Sequence, residues 1–292
     1  MDFSLSGIGN FLMNEIYAID PSAPEDLKDL KMLSELFGFS QGRFIAKYPD
    51  DWVTFLKNNV GQLGSIDQSR ASVLLKRFHE NSLPVSGTYF RGKDWLSNAV
   101  NLQDKQSKFT RIVTTPNNKN LPSLGNFLYE EDLPDSHGEH IGRDINSYRK
   151  SIAPLFQSST EIHVQDMFFY FYSNGVKQNR IWEVARMICD LAITHERCEK
   201  LVFHLNQEGS ETQRLDESFL QIREESNSRI LKIVYTLEDK KLSHGRYIFS
   251  IKGGLQFDHG FDTTYSRDNK KTNHVHWMSE KELLPLLDRY RI

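Results

Sequence analysis

Apolar positions recur along this chain with two periods, and together they predict alternating helices and strands. Leu27, Leu30, Leu33, Leu36 and Phe37 return at helical spacing. They follow a start signal at 20–26, where Pro21, Pro24 and acids fill the first turn, and Gly38 is placed to stop the helix. Residues 43–48 read as a strand that Pro49 ends. Asp50 and Asp51 can cap a helix carrying Trp52, Phe55 and Leu56, and a third helix fits 68–80 with Val73, Leu74, Leu75 and Phe78 inward. Thr88–Phe90 and 109–113 read as strands on either side of a helix over 94–100. Residues 114–147 are rich in Pro, Asn, Gly, Asp and Ser, which predicts a long irregular connection, either a seam between two halves or a loop over a site.

The second half is plainer. It predicts a helix over 147–156, a strand over 161–166 running into the aromatic stretch 167–172, and a helix over 176–194. A buried strand over 200–205, an amphipathic helix over 211–226 and a strand over 231–235 follow. Strand–helix–strand repetition implies right-handed crossovers and a mainly parallel sheet. The tail 279–291 is a helix with Ser279 and Glu282 in capping-box positions. The expectation is an α/β protein, with a smaller N-terminal α/β region over 1–147 and a second domain over 148–292.

Composition narrows the class. At 292 residues, 38% hydrophobic and 12% aromatic, the chain can bury real cores. Thirty-six cations against 39 anions, net −3, exclude a protein that coats nucleic acid nonspecifically but leave room for one basic face. Cys189 and Cys198 fall in or near a helix and read as reduced thiols. Residues 1–20 lack the basic start and apolar run of a secretion signal, and no apolar stretch is long enough to span a bilayer, so a cytoplasmic location is expected.

The candidate chemistry lies between 242 and 262. His244 and Arg246 stand two apart on what reads as a strand, which turns both side chains to one face. An imidazole can attack or protonate, and a guanidinium can hold two phosphate oxygens. Gly253, Gly254 and Gly260 follow, where a backbone could approach a ligand. Asp166, at a strand's carboxyl end, is either a site residue or a cap. His259 and Asp262 either complete the site or form a turn, and the turn is preferred. His137 with His140, and His274 with His276, have spacings that could hold a metal only with further ligands, so no metal or cofactor is expected. Tyr89–Trp95 interleaves aromatics with Arg91 and Lys93; it reads as a strand-to-helix turn with core aromatics rather than a nucleic-acid surface. There is no phosphate loop, dinucleotide-binding turn or nucleophile elbow.

With these residues in view, about 150–270 resembles the C-terminal domain of MIT proteins, the microtubule-interacting and trafficking family, which has a phospholipase-D-like fold. Ile162 to Asp166 and the aromatics after it fall where that family has isoleucine-x-aspartate-proline-tyrosine. His244-Gly245-Arg246-Tyr247-Ile248, Gly253-Gly254 and Gly260-Phe261-Asp262 follow its signature strand and loop in order. Gly245 replaces an acid, Gly254 a tryptophan, and Met167-Phe168 the proline-tyrosine pair.

Catalytic members of the wider superfamily carry histidine-x-lysine and then an aspartate. The resemblance implies that His244 attacks phosphorus, that Arg246 replaces the lysine, and that a second histidine protonates the leaving oxygen. Ile251 stands where the aspartate would be, so the orienting acid would be Asp262, Asp166 or Asp258. The motif occurs once, which implies a homodimer with both His244 residues at the interface. The expected function is therefore a phosphodiesterase, foremost a metal-independent nuclease, and family habit places a bacterial protein of this shape in phage defence. The alternative is a non-catalytic module that binds a protein partner, with the N-terminal half as docking surface, or a membrane surface.

Overall fold

The computed structural model describes residues 14–60, 65–116, 120–129, 138–208, 212–225, 231–239, 245–263 and 271–292. It is an α/β protein with two main sheets. The first sheet is parallel, in the order β3-β2-β1-β4: β1 is Glu15–Ile19, β2 Arg43–Lys47, β3 Leu83–Pro84 and β4 Arg111–Val113. Helices cover both faces. On one side α1 (Leu27–Leu36), α2 (Trp52–Val60), α3 (Ser65–Asn81) and α5 (Leu124–Tyr129) enclose Ile19, Leu33, Ile45, Trp52 and Phe127. On the other, α4 (Trp95–Gln106) packs Trp95, Ala99 and Leu102 against Ala18, Ala46 and Ile112. Alternate residues of β1 and β2 supply the two cores, as the two-residue period of a strand requires. Val73 of α3, expected inward, is 64% exposed; Ala71, Leu75 and Phe78 form the buried stripe instead.

The second sheet has the order β10-β9-β6-β11-β12-β13-β5. Strands β6 (Glu161–Gln165), β9 (Lys200–Asn206) and β10 (Lys232–Glu238) are parallel, joined through α7 (Asn179–Thr194) and α8 (Thr212–Glu225). Strands β11 (Tyr247–Ser250), β12 (Gly253–Phe257), β13 (Thr272–Trp277) and β5 (Glu139–Gly142) continue the sheet antiparallel. Helices α6 (Ile145–Ser158), α7 and α8 bury one face through Ile162, Val164, Leu201, Phe203 and Ile248. The terminal helix α9 (Glu280–Tyr290) covers the other through Phe249, Met278, Leu283 and Leu286. A small hairpin, β7 (Tyr172–Ser173) and β8 (Val176–Lys177), precedes α7 and occupies the start of the helix expected from 176.

Four further expectations are corrected. The second sheet, expected to be mainly parallel, is mixed: among the described residues two of its pairings are parallel and four antiparallel. The stretch 114–147 is not an irregular connection throughout: it holds α5, β5 and the start of α6, and β5 is the edge strand of the second sheet. Thr88–Phe90 form no strand, because the Asn98 side chain takes the ladder's place: its Oδ1 accepts the Phe90 N–H at 2.8 Å and its Nδ2 donates to the Phe90 carbonyl at 3.0 Å. Gly253 and Gly254 do not open the backbone to a ligand. A Cβ on Gly253 would lie 2.4 Å from Phe39 Cβ, and one on Gly254 would lie 2.9 Å from Met278 Sδ. The first admits Phe39, whose ring packs edge-on to Phe44 and Trp277 at 5.1 and 5.4 Å and so joins the two sheets' cores. The second admits the residues that seat α9.

The capping box of α9 is present: the Glu282 carboxylate accepts from both the N–H and the hydroxyl of Ser279, each at 2.7 Å. Those bonds hold the Glu282 carboxyl below its usual range. Glu282→Ala is expected to cost about 1 kcal/mol, measured as a lowered urea midpoint. No change would mean that packing alone places α9.

Candidate functional site

Asp166 directly follows β6 and is 1% exposed. Its Oδ1 accepts the Phe168 N–H at 2.8 Å and its Oδ2 the Phe261 N–H at 3.0 Å. One carboxylate therefore clamps the aromatic turn after β6 to the loop after β12. Burial pushes this carboxyl up; the N–H groups of Phe261 and Phe168 and the Arg246 guanidinium pull it back toward the ionised form. A Cβ on Gly260 would come within 3.3 Å of Asp166 Oδ2, so a side chain there would press on the clamp.

Arg246 reaches the same point through strand pairing. β11 runs antiparallel to β6 with Tyr247 opposite Gln165, so one further step sets Arg246 opposite Asp166. Its Nε lies 3.8 Å from Asp166 Oδ1 and its terminal nitrogen donates to the Asp258 carbonyl at 2.9 Å. The guanidinium carbon sits 5.0 Å from the centre of the Phe168 ring, a cation–π geometry. Asp262, one of the three acids offered as the orienting group, lies in the same cleft in other company. Its carboxylate pairs with Arg143, just beyond β5, and its backbone carbonyl accepts from the Tyr148 hydroxyl at 3.1 Å.

These residues line an open cleft of about 660 Å³ at the carboxyl end of β6. The start of α7 forms another wall, with Lys177, Gln178, Asn179 and Arg180. No side chain caps that helix, so its positive end faces the cleft beside Arg143, Lys177, Arg180 and Arg246. Two carboxylates stand against four cations: Asp262 is paired with Arg143, and Asp166 is held by backbone N–H groups. The chemistry this offers is recognition of an anion with several oxygens.

Arg246, Asp166 and Asp262 thus share one site. His244 and His137 lie outside the described residues. His259 serves a turn: its N–H donates to Asn273 Oδ1 at 2.9 Å and its carbonyl accepts from Asn273 Nδ2 at 3.1 Å. His140, His274 and His276 are neighbours, with ring centres 4.9 Å apart for the first pair and 5.9 Å for the second. Among the described residues no group of three or more His, Cys, Asp or Glu side chains is arranged to hold a metal. Cys189 and Cys198 are free and buried. Of the aromatics in 89–95, read as core, Trp95 is buried and its Nε1 donates to the Tyr48 carbonyl at 2.9 Å, whereas Phe90 is exposed. No helix among the described residues is long and apolar enough to cross a membrane.

Sequence reasoning missed two features. Arg143 sits in the stretch read as irregular, and its partner lies 119 residues away. The second is a buried histidine pair on the α9 face: His163 Nδ1 and His204 Nε2 lie 2.9 Å apart, at 3% and 2% exposure. His163 Nε2 lies 3.0 Å from Glu161, and His204 Nδ1 lies 2.7 Å from the Thr236 hydroxyl. The Tyr290 ring stacks on His204 at 3.7 Å between centres, and its hydroxyl bonds Gln165 Oε1 at 2.8 Å. Gln165 Nε2 in turn donates to the Gly245 carbonyl at 3.2 Å. The alternation of β6 and β9 carried the signal, but only the register Gln165↔His204 brings the rings together.

No family model matches the chain, and no curated protein matches it.

Proposed function

We propose that the C-terminal sheet carries a phospholipase-D-like site that takes a phosphodiester into the Arg246 cleft. The observation that supports this most is the Arg246 guanidinium at the carboxyl end of β6, in one cleft with Arg143, Lys177 and the uncapped start of α7. A phosphate there meets charge-assisted donors from three directions. In the cleaving form of this reading the His244 imidazole attacks phosphorus, a second copy's imidazole protonates the leaving oxygen, and water releases the phosphate from His244. That form needs a dimer and no metal, and defines a nuclease. The commitment of Asp166 to two backbone N–H groups and of Asp262 to Arg143 favours a second form, in which the cleft binds without cleaving.

Single- and double-stranded DNA and RNA, incubated with the protein in EDTA beside His244→Ala and Arg246→Ala, test both forms. Cleavage that survives the chelator and is lost in His244→Ala supports the nuclease, and a dimer in solution must accompany it. Binding without cleavage, weakened about tenfold or more by Arg246→Ala, supports the binding module. Binding that Arg246→Ala leaves unchanged refutes the site altogether.

A further inference from the structure

The aromatic run after β6 has one member out of place. Met167, Phe169 and Phe171 are 1–2% exposed, as core residues should be, whereas Phe168 is 40% exposed and lines the cleft. Burying such a ring fully is worth about 2 kcal/mol, yet this one stays two-fifths open to the cleft. The ring is nonetheless held in place: Asp166 binds its own N–H at 2.8 Å and the Arg246 guanidinium stands 5.0 Å from its centre. Tyr170 lines the same cleft with its hydroxyl anchored by Asn206 Nδ2 at 2.7 Å. A flat apolar face thus lies directly beside the cations that suit a phosphate.

On the reading of the cleft given above, we infer that Phe168 is a stacking platform for a base and that the phosphodiester taken by the cleft is single-stranded nucleic acid. A single strand alternates phosphates with uncovered base faces at the reach of one nucleotide, which matches Arg246 beside Phe168. A duplex hides those faces in its own stack. A lipid headgroup or a free phosphate presents the anion without a planar ring to stack in the cleft.

The test is binding by fluorescence anisotropy in EDTA, with the full chain in the His244→Ala background so that the probe stays whole. The probes are a labelled oligothymidylate, a duplex of the same length and an abasic phosphodiester of the same length. The single strand is expected to bind at least tenfold tighter than the other two. Phe168→Ala should remove that preference, bringing oligothymidylate to the level of the abasic chain measured with the same variant, and Phe168→Trp should keep it. Arg246→Ala should weaken all three probes. Equal binding of oligothymidylate and the abasic chain, an unchanged preference in Phe168→Ala, or binding of phosphatidylserine vesicles in place of oligothymidylate overturns the inference. In each case an effect of Arg246→Ala keeps the phosphate site. Loss of the Arg246 effect overturns the site itself.

Discussion

Asp166→Ala is expected to destabilise the protein by about 3 kcal/mol or more, well beyond the loss of an ordinary acid. The carboxylate is buried, and each oxygen accepts a backbone N–H, from Phe168 on one side and Phe261 on the other. Alanine leaves both donors without their acceptor, the Phe261 N–H in a buried position and the Phe168 N–H in a partly buried one, and leaves the Arg246 guanidinium without its facing charge. Each unpaired buried donor costs about 1–3 kcal/mol. Asp166→Asn should fall between, because an amide offers one acceptor and turns a donor toward the second N–H. Asp262→Ala is the comparison: its carboxylate is a third exposed and its main-chain carbonyl, which holds Tyr148, survives the change. Urea unfolding of the three variants measures the order. If Asp166→Ala loses less than about 1 kcal/mol, the clamp is not what positions the loop, and the carboxylate is left for a role in the cleft.

Much of this arrangement could be read from residue patterns, where the cause was local. Asp94 accepts from Ser97 N–H at 2.8 Å and opens α4 where its position predicted, and Ser279 with Glu282 opens α9. The strand leading into Asp166 was visible from alternation; the strand read as carrying His244 and Arg246 begins only at Tyr247, and it is its pairing with β6 that sets Arg246 beside Asp166. Features made by distant partners were not visible. β5 is four residues long, set in polar sequence, and becomes a strand because 272–275 pair with it. The double glycine looked like room for a ligand because Phe39, 214 positions earlier, fills the space that Gly253 leaves. Arg143 and the His163–His204 pair belong to this second kind. Their chemistry exists only once register and sheet order are set.

That histidine pair yields the second large effect, a loss of stability in mild acid. Burial, with His204 close by, pushes the His163 imidazole down from 6.5 to about 4; Glu161 on the same strand pulls it the other way, and Lys200 on β9 adds to the depression. On β10, Thr236 and Glu238 hold the far side of His204, and on α9 Tyr290 lies across its ring while bonding Glu238 at 2.9 Å. No carboxylate therefore sits between the two rings, and the contact joins one donor and one acceptor only while the pair shares a single ring proton on that line. An unfolded chain takes up the His163 proton as pH falls through 6.5, whereas the folded chain resists it down to about 4. The unfolded state thus holds more protons across that window, and stability falls as pH falls. Between about pH 7.5 and about pH 5 the loss is about 2 kcal/mol. His163→Phe removes the titrating group and keeps a flat ring against Phe249, which stacks on His163 at 5.2 Å. The variant is expected to start less stable near neutrality, because His204 Nε2 loses its partner, but to show a flatter decline into acid. Urea midpoints of the two proteins at both pH values decide it. Parallel declines would mean that protons taken up elsewhere drive the acid loss, and that the buried pair is neutral packing beneath α9.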